Sequence, residues 1–307
     1  MIMNKEFEFT IFTPCFNSEV FIERTFNSLS NQSFKSFEWL IIDDCSTDGT
    51  LKILNEIKAK SKIKIRIVKN SSNKMVSYNC NQAVTLAKGR FFIFLGHDDE
   101  LVPNALERFH SVWANIPLID KNGLVGMMSN CMDENGVFVH DELPNTPLIT
   151  DFYDMYYNLG VKGEKCFCYL TDIIASQNFS TVDKYVPENV FLLDLSDNFN
   201  TYFFNENLRI YHIKHQSFSN ALQAESRIKY PIGMRYAKLR DLNRRLKKLR
   251  KKPILLFKTI INFIRFTFHA KIFFWQSVSE ITSPTIKYLS ISLSPVAWLL
   301  YIKDKLH

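Results

Sequence analysis

The chain has 307 residues, 46% of them hydrophobic and 22% charged, enough apolar content to bury a full core and too much for a mainly disordered protein. Its formal net charge of +7 is unevenly spread: residues 227–252 carry twelve Lys or Arg against Asp241 alone, residues 253–307 add +4, and residues 1–226 sum to −8. The basic character therefore belongs to the C-terminal part, which excludes an evenly basic surface over the remainder. The six cysteines, Cys15, Cys45, Cys80, Cys131, Cys166 and Cys168, are scattered, so reduced thiols are expected. The opening MIMNKEFEFT has no apolar segment of the kind that directs secretion.

Taken in chain order, residues 7–13, 39–42, 64–68 and 91–95 read as strands. Between them, residues 20–29, 51–57 and 82–87 carry apolar side chains at helical spacing, and Lys88-Gly89 stops the last of these. A helix is expected over 103–113 and a further strand over 124–128. Strands alternating with helices over about 100 residues predict an α/β domain with a mostly parallel sheet flanked by helices, whose ligands bind beyond the carboxyl ends of the strands. At those ends stand Pro14-Cys15-Phe16-Asn17, then Asp43-Asp44-Cys45-Ser46-Thr47-Asp48-Gly49-Thr50, then His97-Asp98-Asp99-Glu100. Both acidic clusters fall on the ligand edge.

A nucleotide base needs an in-plane acceptor and an apolar face, which Asp43 or Asp44 and Phe16 supply. A diphosphate needs a cation, and Mg²⁺ or Mn²⁺ takes one or two carboxylates together with phosphate oxygens. Asp98 and Asp99 meet that demand. Taken singly, the acidic turn at 97–100 also reads as a cap for the next helix, and Phe16 as core packing.

Together the blocks resemble those of the family 2 glycosyltransferases, which have the GT-A, Rossmann-like fold. P-x-[YF]-N is matched by Pro14, Phe16 and Asn17, and DD-x-S-x-D-G-T by Asp43 through Thr50. N-K-x-x-S, an Asn and A-K-G follow as Asn73-Lys74, Ser77, Asn81 and Ala87-Lys88-Gly89, with the acidic motif last. The resemblance implies an inverting transferase that uses Mn²⁺ or Mg²⁺ and moves a sugar from a nucleotide diphosphate, with UDP favoured, to a hydroxyl of a glycan or lipid-linked acceptor, as in bacterial surface polysaccharide synthesis. It assigns Pro14, Phe16, Asn17, Asp43, Asp44, Ser46, Asn81 and Asp98 to the nucleotide, and Asp99, with Asp98, to the metal. Gly96 stands where the commoner D-x-D-D form has its first Asp.

Residues 160–166 and 169–172 resemble a block that precedes the base motif in capsule- and lipopolysaccharide-type members of the family. An inverting transfer needs a carboxylate to take the acceptor proton, and Glu188 is the candidate. Asn189 replaces the Asp of the E-D pair common in the family, and Pro187 offers the other reading of Glu188, as a helix-start carboxylate. Lys162, Lys165, Arg209, His212 and His215 are candidate phosphate or acceptor contacts.

The transferase domain is expected over 1–222, with a helical extension over 223–307. Residues 227–252 read as one basic helix. In residues 253–276, Lys258, Asn262, Arg265 and His269 form a polar stripe on an apolar helix, which suits a helix lying on an anionic membrane surface. Packing of the tail on the catalytic domain, or its pairing into a homodimer, is the other reading. The apolar run 288–302 contains Pro295 and is expected to be too short to span a membrane. A cytoplasmic protein at the inner face of the plasma membrane follows. The other classes weighed are a nucleotidyltransferase, which needs a Gly-rich phosphate loop after the first strand, a non-catalytic nucleotide-sugar binder, and a nucleic-acid binder. Nucleic acid is not an expected partner, because the basic segment adjoins a strongly apolar stretch rather than interleaved aromatics.

Overall fold

The computed structural model describes residues 5–139, 141–143, 145–212 and 228–306. The chain forms two compact units, Met1–Phe179 with Phe191–His215, and Ser180–Val190 with Gln216–His307. The expected boundary at 222/223, Arg227 and His215 lie outside the described residues.

The first unit opens β1 (Phe7–Cys15), α1 (Ile22–Ser30), β2 (Phe37–Asp43), α2 (Thr50–Lys60), β3 (Lys64–Lys69), α3 (Met75–Leu86) and β4 (Gly89–Phe94). It continues with β5 (Glu100–Leu101), α4 (Ala105–Asn115), α5 (Leu118–Lys121), β6 (Leu124–Met132), β7 (Leu148–Thr150) and a π-helical turn at Asp154–Asn158. After it come β8 (Lys165–Leu170), α6 (Thr171–Ala175), α7 (Asn189–Leu195), whose first residues belong to the other unit, and β9 (Asn200–Ile210). The sheet runs β3-β2-β1-β4-β8-β6-β9-β5, with β7 on β9. Its first four strands are parallel and joined by helical crossovers, as parallel neighbours require. Beyond them the expected parallel core is extended by strands of both directions: β6 and β9 are parallel to each other, β8 is antiparallel to β4 and β6, and β5 and β7 are antiparallel to β9.

Both faces of the parallel half are covered, which is why β2 reads as an unbroken buried run. Phe9, Ile11, Trp39, Ile41 and Phe91 enter one core with Phe109 and Trp113. The alternate residues Phe12, Leu40, Ile42 and Phe92 enter the other with Cys80 and Phe191. Cys15 pairs with Asp43 in register, so the loops after β1 and β2 leave the sheet side by side. A Cβ on Gly89 would lie 2.2 Å from the Thr10 amide nitrogen, which accounts for the glycine where β4 begins beside β1.

The second unit has α8 (Pro231–Arg244), α9 (Leu246–Arg250), α10 (Pro253–His269), α11 (Phe274–Ser279) and α12 (Pro284–Leu306). Its own core joins Leu242, Leu249, Ile260, Phe263, Ile286 and Ala297. Two expectations are corrected here. The single basic helix breaks at Arg245 into α8 and α9. Within the polar stripe on α10, Lys258 is exposed while Arg265 and His269 both bind the Asp304 carboxylate of α12. The run 288–302 is part of a 23-residue helix, long and apolar enough by length and composition to cross a membrane. Pro295 is tolerated inside it because the Ser294 hydroxyl donates at 2.8 Å to the Ile291 carbonyl, the group that proline leaves without its helical donor.

Candidate active site

Three loops leave the carboxyl ends of β1, β2 and β4. In the first, Asn17 has φ +52°. Its amide donates to the Ser46 hydroxyl at 3.0 Å, and its side-chain oxygen accepts from the Thr47 amide at 2.9 Å. Asn17 and Ser46 thus latch the first loop to the second, while Pro14 continues β1 opposite Ile42. Phe16 is 40% exposed, so its ring stands at the sheet edge and the core-packing reading is excluded.

The two carboxylates that end β2 have separate duties. Asp44 is spent: one oxygen accepts from the Asn70 side chain and the Lys74 amide, the other from the Met75 amide, each at 2.8 Å. It caps α3, whose start is therefore seven residues earlier than the apolar spacing alone implies. Asp43 is fully buried. One of its oxygens receives the Ser46 amide at 3.4 Å and the other has no hydrogen-bond partner among the described residues. A buried acceptor without a donor costs about 1–3 kcal/mol, and an incoming N–H would relieve it.

The acidic loop is held from behind by α1. The Arg24 guanidinium donates to the Asp98 carbonyl, and the Thr25 hydroxyl lies 2.9 Å from the carbonyls of both His97 and Asp99. Ser28 accepts from the Leu101 amide at 3.3 Å, and Gln32 binds the Val102 carbonyl at 2.8 Å. The sequence reading missed these residues. Their signal is legible in retrospect: Thr25, Ser28 and Gln32 are buried polar residues in the inward phase set by Ile22 and Leu29. Thr25→Val keeps the shape and removes the hydroxyl. It is expected to weaken nucleotide binding about tenfold through loosening of the loop, at the roughly 1 kcal/mol of a typical hydrogen bond or somewhat more; nucleotide titration of the variant checks this.

A Cβ on Gly96 would lie 2.6 Å from Asp99 Oδ2 and 2.9 Å from Asp98 Oδ1. Two carboxylate oxygens therefore converge on the space an aspartate at this position would fill. Asp99 is buried, and its Oδ2 accepts from Arg209 Nε at 3.0 Å and Nη2 at 2.5 Å. Burial pushes the Asp99 carboxyl above its usual range while the guanidinium pulls it back. The pairing of β5 with β9 sets Leu101 opposite Arg209 and brings His212 Nε2 to 2.8 Å from Glu100. Arg209 and His212, candidates for phosphate or acceptor contact, are thus placed against Asp99 and Glu100 of the acidic loop.

Two further expectations change. The Asn81 side chain is committed at 2.8 Å to both the amide and the carbonyl of Phe179, so it fastens a loop rather than meeting the nucleotide. Lys165 is buried against the Asn130 side-chain oxygen at 3.1 Å and the Asp141 carbonyl at 3.0 Å, and burial draws its amine down to about 8. Lys162 is exposed. Glu188 is exposed immediately before α7, within the segment that belongs to the second unit.

No group of three or more His, Cys, Asp or Glu gathers among the described residues. The donor set above Gly96 nevertheless suits a hard cation, because Mg²⁺ and Mn²⁺ accept one or two carboxylates when phosphate oxygens complete the shell. Asp98, which is partly exposed, is the more open of the two, and Asp99 shares its oxygen with Arg209.

A family model described as Glycosyl transferase family 2 matches residues 10–169, the span from β1 into β8. The putative teichuronic acid biosynthesis glycosyltransferase TuaG of Bacillus subtilis is 36% identical over 99 residues, 32% of this chain and 39% of that protein. The GalNAc(5)-diNAcBac-PP-undecaprenol beta-1,3-glucosyltransferase of Campylobacter jejuni is 32% identical over 123 residues, 37% of this chain and 39% of that protein. The chain thus spans about two fifths of the length of each of these relatives. Among solved structures, S. aureus TarS 1-349 in complex with UDP-GlcNAc superposes with a TM-score of 0.54 at 17% identity, covering 95% of this chain and 89% of that one. The mannosyltransferase PcManGT from Pyrobaculum calidifontis, in complex with GDP-Man and Mn²⁺, gives 0.53 at 13% identity, covering 99% and 81%. At these identities the likeness to the solved structures is one of fold.

Proposed function

The chain belongs to glycosyl transferase family 2, and from that premise we propose that it moves a sugar, with inversion, from a UDP-linked donor to a hydroxyl of a lipid-linked glycan in surface polysaccharide synthesis. The observation that carries the reading is that one sheet edge holds the unpartnered buried oxygen of Asp43 after β2, an exposed Phe16 after β1 and the two carboxylates above Gly96 after β4. Uracil presents the N–H that Asp43 lacks, and Phe16 offers its ring as a stacking face. Asp98 and Asp99 would hold Mn²⁺ or Mg²⁺, which when bound supplies positive charge to the departing diphosphate. Thr25 and Arg24 hold the loop that carries those carboxylates, and Arg209 keeps Asp99 oriented. Glu188 takes the acceptor proton as the hydroxyl attacks the anomeric carbon.

Two relatives support the choice of partners: TarS has been solved with UDP-GlcNAc, and the Campylobacter enzyme is named for an undecaprenol-linked acceptor. The nucleotidyltransferase reading is disfavoured by the loop after β1. The amides of Asn17, Ser18 and Glu19 there bind the side chains of Ser46, Thr50 and Asp48 instead of opening toward phosphate.

Calorimetric titration of the chain with UDP, with and without Mn²⁺, tests the reading. Manganese is expected to strengthen UDP binding, and Asp43→Ala to weaken it tenfold to a hundredfold, roughly the 1.5–3 kcal/mol of a hydrogen bond to a charged group. Absence of manganese-assisted binding for every nucleoside diphosphate tried would overturn the proposal.

A further inference from the structure

Within the second unit, α12 is apolar on two opposite sides. One side carries Ile286, Ser290, Leu293, Ala297, Tyr301 and Asp304 at helical spacing and packs on α10. The other carries Tyr288, Ile291, Pro295, Leu299, Ile302 and Leu306, at steps of three and four, and every one is exposed. Leu299 is 69% exposed. This well-packed helix still turns an unbroken apolar stripe outward, and among the described residues nothing covers that stripe.

Half-exposed aromatics stand beside it. Trp298 is 48% exposed and Trp275 55%. Trp298 is braced at 5.1 Å by the Phe268 ring and at 5.2 Å by Tyr301, and Trp275 at 5.2 Å by Phe274. Lys303 and Lys305 are exposed on α12 and Lys271 is exposed in the turn before α11, with the Lys305 ammonium 5.4 Å above the Tyr301 ring. Indoles with one face apolar and one edge wet, next to lysines on an apolar stripe, suit the depth of a bilayer where acyl chains meet headgroups.

Charge chooses the occupant. Residues 227–307 sum to +15, so a second copy laid on this face would bring two strongly cationic units together, whereas anionic headgroups complement them. One side of α12 is already taken by α10 and closed by Asp304 with Arg265 and His269, which leaves half of the helix for lipid. We propose that the outward stripe of α12, flanked by Phe273, Trp275 and Trp298, is a monotopic docking surface for an anionic bilayer. The surface is α12 and α11, not the polar-striped α10, and it is independent of the catalytic reading above.

Flotation of the full chain with vesicles of phosphatidylcholine alone, or with phosphatidylglycerol added, tests this. Partition is expected to rise at least about tenfold with the anionic lipid, since each basic residue near the surface strengthens binding several-fold. The pair Leu299→Asp and Ile302→Asp is expected to lower it by about two orders of magnitude. Both positions are exposed, so the thermal midpoint should not move. In the unsubstituted chain, acyl-brominated lipid should quench tryptophan fluorescence through Trp275 and Trp298, because Trp39 and Trp113 are buried in the first unit. Unchanged partition in the double variant, equal partition into both vesicle types, or no quenching would each overturn the proposal.

Discussion

Asp99→Asn is expected to lower donor turnover by about three orders of magnitude, because it removes charge where the leaving diphosphate must be stabilised, an effect worth several kcal/mol. The structure adds a second consequence. Arg209 is buried and pairs through two nitrogens with the lost carboxylate, and breaking a buried pair from one side costs about 3–5 kcal/mol. The single variant should therefore lose both turnover and several degrees of thermal midpoint. Asp99→Asn combined with Arg209→Met separates the two: the stranded charge is gone and the midpoint should recover, while turnover should not. Single-turnover hydrolysis of the nucleotide sugar at saturating concentration is the measurement. Turnover within tenfold of the parent in the compensated variant would remove Asp99 from the donor site.

Glu188→Gln is expected to lower sugar transfer by about 10²–10⁴-fold, the usual range for losing a general base, with donor hydrolysis by water changed little. Glutamine is nearly the same shape and the position is exposed before α7, so stability should be unaffected. The two rates are read from one assay, as nucleotide released against glycosylated acceptor formed. Full transfer activity would assign the proton to another group.

Much of the first unit was legible in the sequence. β1, β2 and β4 are largely buried apolar runs and the edge strand β3 alternates charged with apolar residues, so strand limits were readable to within about two residues. The later strands were not. β5 has two residues, and β9 carries Asn205, Glu206, Asn207 and Arg209 in a register that shifts against β6, so neither shows a clean alternation. α3 was read too short because its cap, Asp44, lies about thirty positions upstream. The same distance effect governed the site. Arg209 looked like a phosphate ligand until β5 and β9 paired and brought it to Asp99. Asp43 and Asp44 were equivalent as residues and differ only in how many amides the fold aims at each. Pro295 was given too much weight, since the hydroxyl that repairs the helix sits one residue before it.

The crowding above Gly96 also limits how this loop can be re-engineered. Restoring a third aspartate by one change would bring its first side-chain carbon against both existing carboxylates. The partly exposed Asp98 can swing aside, whereas Asp99 is tied to Arg209, so altered cation preference in this scaffold would come with a disturbed Asp99–Arg209 pair.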